Sequence, residues 1–76
     1  MQEPAYATTA EQRRAHDTVT RLRHLFAELG LADDQVRQIL PVTDMQRRAY
    51  VRLGTLTVDG AEKVADAIER AMERTS

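Results

Sequence analysis

Pro41 lies near the middle of the chain, between two segments whose apolar residues recur at helical spacing. Proline has no backbone N–H to donate, and it disfavours the helical conformation of the residue before it, which here is Leu40. A continuous helix therefore cannot join the two ends of the chain. The middle third must form a different element, and that element decides the fold.

The segments on either side of Pro41 show the alternation of apolar residues that is typical of strands with one buried face. The apolar positions are Val36, Leu40 and Val42 in the first segment, and Ala49, Val51 and Leu53 in the second. The second strand is predicted over residues 48–53, and residues 43–48 connect the two. Two such strands with a short connection predict a β-hairpin.

One antiparallel register aligns both apolar sets. It pairs Val42 with Ala49 and places Leu40 opposite Val51, so that all four side chains share a face. Asp44 lies in the connection, where its short polar side chain favours a turn.

A short helix over residues 34–40 is an alternative to the first strand. Val36, Ile39 and Leu40 also fit a period of 3.6 residues, which is the spacing of one helical face. The sequence leaves the choice between strand and helix open for this segment.

The first long helix is predicted over residues 8–30. Thr8 followed by Glu11 forms a capping box at its start. Gly30 ends it, because glycine adopts the left-handed conformation after a helix without steric cost, and Leu31 then folds back onto the last turn. The apolar stripe of this helix is Ala15, Val19, Leu22, Phe26 and Leu29, with Leu25 widening it.

The second long helix is predicted over residues 57–74. Thr57 is its N-cap, and Asp59 and Lys63 form a favourable i,i+4 pair on the exposed side. Its apolar stripe is Ala61, Val64, Ala65, Ile68, Ala71 and Met72.

Together these elements predict an α+β fold in the order α-β-β-α, with two amphipathic helices packed on one face of a β-hairpin. We predict that residues 8–76 form a single small domain and that residues 1–7 form a flexible leader. The chain has 76 residues and no cysteine to form a disulfide, and so small a domain buries only about 60 % of the surface that its unfolded chain exposes. A two-stranded sheet also leaves both edges open, so we predict a homodimer.

The outward face of the hairpin is the candidate binding surface. If Val36, Leu40, Val51 and Leu53 point inward, the residues that point outward are Arg37, Ile39, Arg48, Tyr50 and Arg52. Residues 36–58 carry four Arg against a single acid, Asp44, although the whole chain has a net charge of −1. Arg and Tyr are favoured anchors of protein interfaces, so Arg37, Arg48, Tyr50 and Arg52 are the predicted partner-binding residues. The alternative is that these arginines only keep the exposed strands soluble.

Catalytic and metal-binding motifs are missing from the sequence. There is no cysteine, the only serine is Ser76, and the three glycines form no phosphate-binding loop. His16 and His24 lie eight residues apart with no second cluster of ligands, so a solvated helix face explains them better than a metal site. Asp33 and Asp34 follow the first helix and are better explained by a turn or a cap. The sequence therefore predicts no enzymatic activity, no cofactor and no bound metal.

The function that these observations favour is a non-catalytic interaction or regulatory module that binds a protein partner as a homodimer. The alternative is a nucleic-acid-binding regulator that uses the Arg/Tyr face of the hairpin, or Arg13, Arg14 and Arg21 of the first helix. Uninterrupted apolar runs are too short to span a membrane, and the first residues lack the pattern of a secretory signal. We therefore expect a cytoplasmic protein, and the excess of arginine over lysine (ten against one) together with eleven alanines indicates a bacterial source.

Overall fold

The computed structural model describes the backbone of residues 3–75 and the side chains of residues 10–75. In chain order its elements are α1 (Glu3–Glu28), α2 (Asp33–Val36), β1 (Leu40–Thr43), β2 (Ala49–Arg52) and α3 (Val58–Thr75). The two strands form one antiparallel hairpin, and α1 packs across both of them. The predicted α+β class and the α-β-β-α order are confirmed, with α2 added between the first long helix and the hairpin.

Helix α1 begins at Glu3, earlier than the sequence predicts. Residues 3–7, which were expected to belong to a leader, are part of it. An N-cap residue has a non-helical backbone, whereas Thr8 lies inside the helix, so the predicted capping box of Thr8 and Glu11 is wrong. The side chain of Thr8 lies outside the described part of the chain.

The end of α1 follows the prediction. Gly30 has a φ of +95°, in the left-handed region that a side chain would disfavour. The N–H of Leu31 donates to the carbonyl of Phe26 at 3.2 Å, and the N–H of Gly30 donates to the carbonyl of Ala27 at 3.0 Å. These two bonds form a Schellman motif. Leu31 folds back and is buried in the core beside Phe26.

The segment between α1 and the hairpin adopts the helical alternative. Helix α2 covers Asp33–Val36 and is followed by a turn, and β1 does not begin until Leu40. Val36 is therefore a buried residue of α2 and not a strand residue. Arg23 of α1 fixes the end of this segment, because its Nε and Nη2 donate to the carbonyl of Ile39 at 3.0 and 2.7 Å.

The register of the hairpin differs from the predicted one by one residue. Val42 pairs with Tyr50, and not with Ala49, and Leu40 pairs with Arg52. Because neighbouring residues of a strand point to opposite faces, this shift reverses the faces of β1. Pro41 and Val51 form a half-buried pair on the face toward α1.

The reason for the error is that residues 39–42 are apolar at every position, so alternation cannot select the inner face. Ile39 was expected to point outward, but it is fully buried, and it takes the core position that the prediction gave to Leu40. Leu40 and Leu53 were expected to point inward, and both are exposed. Ile39 and Leu40 have side chains of equal size, so residue type does not show which of them enters the core, and in the structure it is Ile39.

Asp44 forms the turn as predicted. Its Oδ1 accepts the N–H of Gln46 at 2.9 Å and the N–H of Arg48 at 2.8 Å. Asp44 and Arg48 face each other, and residues 45–47 form a three-residue loop between them. Its last residue, Arg47, has a φ of +66°. Glycine usually provides this left-handed conformation in hairpins with three-residue loops. These contacts accompany the register in which Thr43 pairs with Ala49.

The core lies between α1, α2 and the inner face of the hairpin. Its buried cluster is Val19, Phe26, Leu31, Val36 and Ile39, with Leu22, Leu29, Val51, Leu56 and Val64 packed against it. Helix α3 joins this cluster through Val64, whereas Ile68 and Met72, further along the predicted stripe, are exposed.

The N-terminus of α3 is held by hydrogen bonds. Thr57 is its N-cap as predicted, since its Oγ1 accepts the N–H of Gly60 at 3.0 Å. Gln35 of α2 is buried, and its Oε1 accepts the N–H of Thr57 at 3.1 Å. The predicted pair of Asp59 and Lys63 forms, with Oδ2 and Nζ 3.6 Å apart.

Candidate functional site

The face of the hairpin that turns away from α1 is formed by Leu40, Val42, Tyr50 and Arg52, and we call it the outer sheet face. Leu40 pairs with Arg52, and Val42 pairs with Tyr50, so the four side chains share one side of the sheet. Leu40, Val42 and Tyr50 are 43 %, 37 % and 47 % exposed. The outer sheet face is therefore mainly apolar and open to solvent.

Two of the four predicted binding residues lie elsewhere. Arg37 is the C-cap of α2, and its Nε lies 3.9 Å from Oδ2 of Asp33. Arg48 belongs to the hairpin connection and precedes β2. Its Nε is 3.5 Å from Oδ2 of Asp44, and its Nη2 donates to Oε1 of Gln46. The structure thus places only Tyr50 and Arg52 together on the outer sheet face.

Tyr50 is held in place by the turn. Its hydroxyl donates to Oδ2 of Asp44 at 3.1 Å. The backbone N–H of Arg48 is the largest of the contacts that lower the pKa of Asp44, with the bond from Tyr50 adding to it. The same bond raises the pKa of Tyr50, because the carboxylate stabilises the protonated hydroxyl. The hydroxyl of Tyr50 is therefore bound to the same carboxylate that accepts the backbone N–H groups of Gln46 and Arg48 in the turn.

Arg52 is the single basic residue of the outer sheet face. Its guanidinium makes no hydrogen bond or ion pair with any residue that the structure describes. Sequence reasoning missed Leu40 and Val42 as members of this face because it assigned them to the core. The face that was expected to carry three arginines is an apolar patch with one aromatic ring and one arginine.

A second apolar surface lies between α1 and α3, and sequence reasoning did not identify it. The two helices leave between them a groove with a volume of about 590 Å³. Its lining residues are Leu22, Leu25, Phe26, Glu28, Leu29, Val64, Ala67, Ile68 and Ala71. We call it the α1–α3 groove. The width of the apolar stripes of α1 and α3 could have predicted this groove. Leu25 and Ile68 belong to these stripes, but the core does not cover them.

His16, His24, Asp33 and Asp34 do not come together in a metal-binding cluster in the described part of the chain. Nε2 of His24 lies 3.5 Å from Oε2 of Glu28, one turn along the exposed side of α1. Asp33 and Asp34 occupy the first turn of α2. No group of three His, Asp or Glu side chains within the described part of the chain is arranged to hold a metal ion.

The chain matches no protein-family model, no curated protein and no solved structure. Among residues 3–75, no helix is both long enough and apolar enough to cross a membrane.

Proposed function

We propose that this protein is a non-catalytic interaction module that binds a protein partner through its outer sheet face. The observation that carries the proposal is the exposure of Leu40, Val42 and Tyr50 side by side, next to the unpaired guanidinium of Arg52. Interfaces are enriched in aromatic residues and arginine around an apolar centre. These four side chains have that composition.

Preorganisation of the face supports the same conclusion. The hydrogen bond from Tyr50 to Asp44 holds the ring in place before any partner arrives. A side chain that is already ordered loses less conformational entropy on binding, and this loss is one of the main costs of association. Tyr50 is therefore suited to anchor a partner.

The chemistry of the face indicates the chemistry of the partner. Leu40 and Val42 require apolar side chains opposite them, and Arg52 favours a carboxylate, with which a guanidinium forms two parallel hydrogen bonds. We propose that the partner contributes a segment with apolar residues and at least one Asp or Glu.

An alternative proposal is that the same surface binds nucleic acid. The observation in its favour is that Arg47 and Arg48 are exposed near Tyr50, on which a base could stack. It is the weaker proposal, because only Arg52 lies on the outer sheet face and the carboxylate of Asp44 lies beside Arg48. Binding to labelled duplex or single-stranded nucleic acid that falls steeply with salt, and that Arg48→Glu/Arg52→Glu abolishes, would favour this alternative.

A library of random peptides displayed on phage tests the main proposal. We expect the selected peptides to combine apolar residues with Asp or Glu. Fluorescence anisotropy of a selected peptide should show at least about tenfold weaker binding to Tyr50→Ala and to Arg52→Glu, as for residues that anchor an interface.

Arg37→Glu is the matched control for this experiment. It makes the same charge change as Arg52→Glu, but at the C-cap of α2, which is not part of the sheet. The proposal requires the control to bind the peptide as the unchanged protein does. Equal losses in Arg37→Glu and Arg52→Glu would contradict it, because they would indicate a general charge effect.

A further inference from the structure

We infer that the partner adds an extended segment to the free edge of β2, as a third strand of the sheet. This inference rests on the proposed function and specifies how the partner is held. Three features of the structure carry it: the unpaired backbone groups of β2, the groove beside them, and two unpaired arginines that flank this edge.

The hydrogen bonding of the hairpin shows which backbone groups point to its outer edges. The N–H of Asp44 donates to the carbonyl of Arg48 at 3.0 Å, so these two residues form a hydrogen-bonded pair. In an antiparallel ladder such pairs alternate with pairs that exchange no hydrogen bond, whose N–H and C=O groups point away from the partner strand. The pairs of this second kind are Pro41–Val51 and Thr43–Ala49.

The two edges of the sheet are therefore different. On the edge of β1, Pro41 has no N–H to offer a further strand. On the edge of β2, Ala49 and Val51 each present an N–H and a C=O, and none of these four groups is paired with a described residue. A further strand satisfies such groups by main-chain hydrogen bonds, which is how many domains bind extended peptides.

A groove with a volume of about 190 Å³ lies beside this edge. It is lined by Arg14 and Thr18 of α1 and by Ala49 and Val51 of β2. A strand that pairs with β2 lies about 4.8 Å from it and therefore enters this groove. Its side chains point alternately toward α1 and toward the outer sheet face, where they continue the row of β2 beside Tyr50.

The charges around the edge favour an acidic segment. Arg14 on the α1 side and Arg52 on the outer sheet face are both exposed, and neither guanidinium is paired with a described residue. Glu11 also lines the groove, but residues 47–52 contribute three arginines and no acid. An Asp or Glu of the segment that points inward can pair with Arg14, and one that points outward can pair with Arg52.

A second copy of the chain does not fit this edge as well. Its own β2 would bring the arginines of residues 47–52 close to those of the first copy, and like charges on neighbouring strands destabilise a sheet. Its β1 would present an edge that lacks the N–H of Pro41. The occupant that the edge favours is therefore an acidic segment of a different protein.

N-methylation of a phage-selected peptide, one backbone nitrogen at a time, tests this inference on the unchanged protein. Every second N–H of an added strand points to its neighbour. Methylation of alternate residues should therefore weaken binding at least about tenfold in fluorescence anisotropy, and methylation of the residues between them should have little effect.

Proline substitutions test the edge from the side of the protein. Ala49→Pro removes an N–H that points outward and leaves the hydrogen bonds between the two strands intact, and proline is tolerated at such edge positions. We expect at least about tenfold weaker peptide binding. Thr43→Pro is the matched control, because it removes the outward N–H of the cross-strand partner at the other edge. It should bind the peptide as the wild type does, and circular dichroism checks that both variants are folded.

Charge reversal tests the role of Arg14. Arg14→Glu should weaken binding of the acidic peptide at least about tenfold, as for a residue that anchors an interface. Arg13→Glu is the matched control, since Arg13 points about 100° away around the same helix and does not line the groove. Equal losses in the two variants would contradict a specific contact with Arg14.

Two further results would overturn the inference: N-methylation effects that do not alternate, or equal peptide binding by Ala49→Pro and Thr43→Pro. A wild-type chain that is dimeric in sedimentation velocity and becomes monomeric in Ala49→Pro would also overturn it, by identifying a second copy as the occupant. Loss of binding in Tyr50→Ala and Arg52→Glu without alternation would reject the added strand and keep the proposed function. Alternation without a loss in these two variants would reject the outer sheet face and keep the strand.

Discussion

Oε1 of Gln35 accepts two hydrogen bonds from Thr57, one from its backbone N–H at 3.1 Å and one from its hydroxyl at 3.4 Å. Gln35 is buried in the short helix α2, and Thr57 is the N-cap of α3. One amide oxygen thus connects two elements that lie far apart in the sequence. Because Val64 is the residue through which α3 reaches the core, this contact is a main attachment of the last helix.

Gln35→Ala should therefore destabilise the protein. The N–H of Thr57 loses its acceptor, and leaving a partly buried polar group unpaired costs about 1–3 kcal/mol. Denaturant unfolding followed by circular dichroism measures the change. Gln38→Ala is the comparison, since its Oε1 accepts the N–H of Thr55 at 2.8 Å on the exposed surface, where water can replace it. Equal losses in the two variants would contradict a special role for Gln35.

Gly60→Ala should also destabilise the protein, although alanine favours a helix over glycine by up to about 1 kcal/mol. A Cβ at position 60 would lie 2.6 Å from Oε1 of Gln35, which is too close for a real contact. The new methyl group must displace the amide that holds Thr57. In the double variant Gln35→Ala/Gly60→Ala the clash is absent, so Gly60→Ala should cost less there than in the wild type. An unchanged cost in this double-mutant cycle would indicate that the glycine is needed for another reason.

The features that the sequence predicted correctly depend on single residues and their close neighbours. Gly30 ends α1, Thr57 begins α3, and Asp44 closes the hairpin loop. Each effect comes from backbone conformation or from a hydrogen bond that spans a few positions, so the residue type is sufficient to predict it. The start of α1 could not be predicted in this way, because Thr8 and Glu11 have the pattern of a cap but the helix continues through them.

The features that the sequence did not predict depend on contacts between distant segments. The hairpin faces follow from the burial of Ile39 under α1, and its neighbours Leu40 and Val42 are equally apolar. The hydrogen-bond partner of the buried Gln35 is Thr57, which lies 22 positions away. Of the predicted site, Tyr50 and Arg52 lie on the outer sheet face, whereas the one-residue change of register adds Leu40 and Val42 to it.

Arg47→Gly should stabilise the hairpin. Arg47 has a φ of +66°, a conformation that costs a residue with a Cβ roughly 1–2 kcal/mol. Glycine adopts it freely but loses more backbone entropy on folding, so we expect a net gain of about 0.5–1 kcal/mol. Thermal unfolding measures the gain, and Gln46→Gly in the same loop is the control that should lower stability. A loss of stability in Arg47→Gly would contradict the assigned turn.

The hydrogen bonds of Asp44 predict a dependence of stability on pH. The N–H of Arg48, more than any other contact, lowers its pKa from the ordinary value of 3.8 in the folded chain. A group with a lowered pKa stabilises the fold above its unfolded pKa, and that contribution is lost as the pH falls through the folded value. Stability should therefore decrease below pH 3.8, and Asp44→Asn should show a smaller decrease in denaturant titrations at several pH values.

Tyr50 predicts the opposite dependence at alkaline pH. Its hydrogen bond to Asp44 raises its pKa from the ordinary value of 10.0. The contribution of Tyr50 is then complete below pH 10.0 and is lost as the pH rises through the raised value. Tyr50→Phe should be less sensitive to alkaline pH than the wild type. An identical alkaline profile in the two proteins would show that this bond does not persist in solution.

The most direct test of the central claim is to map the binding of a selected acidic peptide onto the protein by NMR chemical shifts. If the peptide binds the outer sheet face, the largest chemical-shift changes should occur at Leu40, Val42, Tyr50 and Arg52. The changes at Arg37, and at Ile68 in the α1–α3 groove, should be small. Changes centred on the groove, or spread over all exposed arginines including Arg37, would contradict the assignment of the outer sheet face as the partner-binding surface.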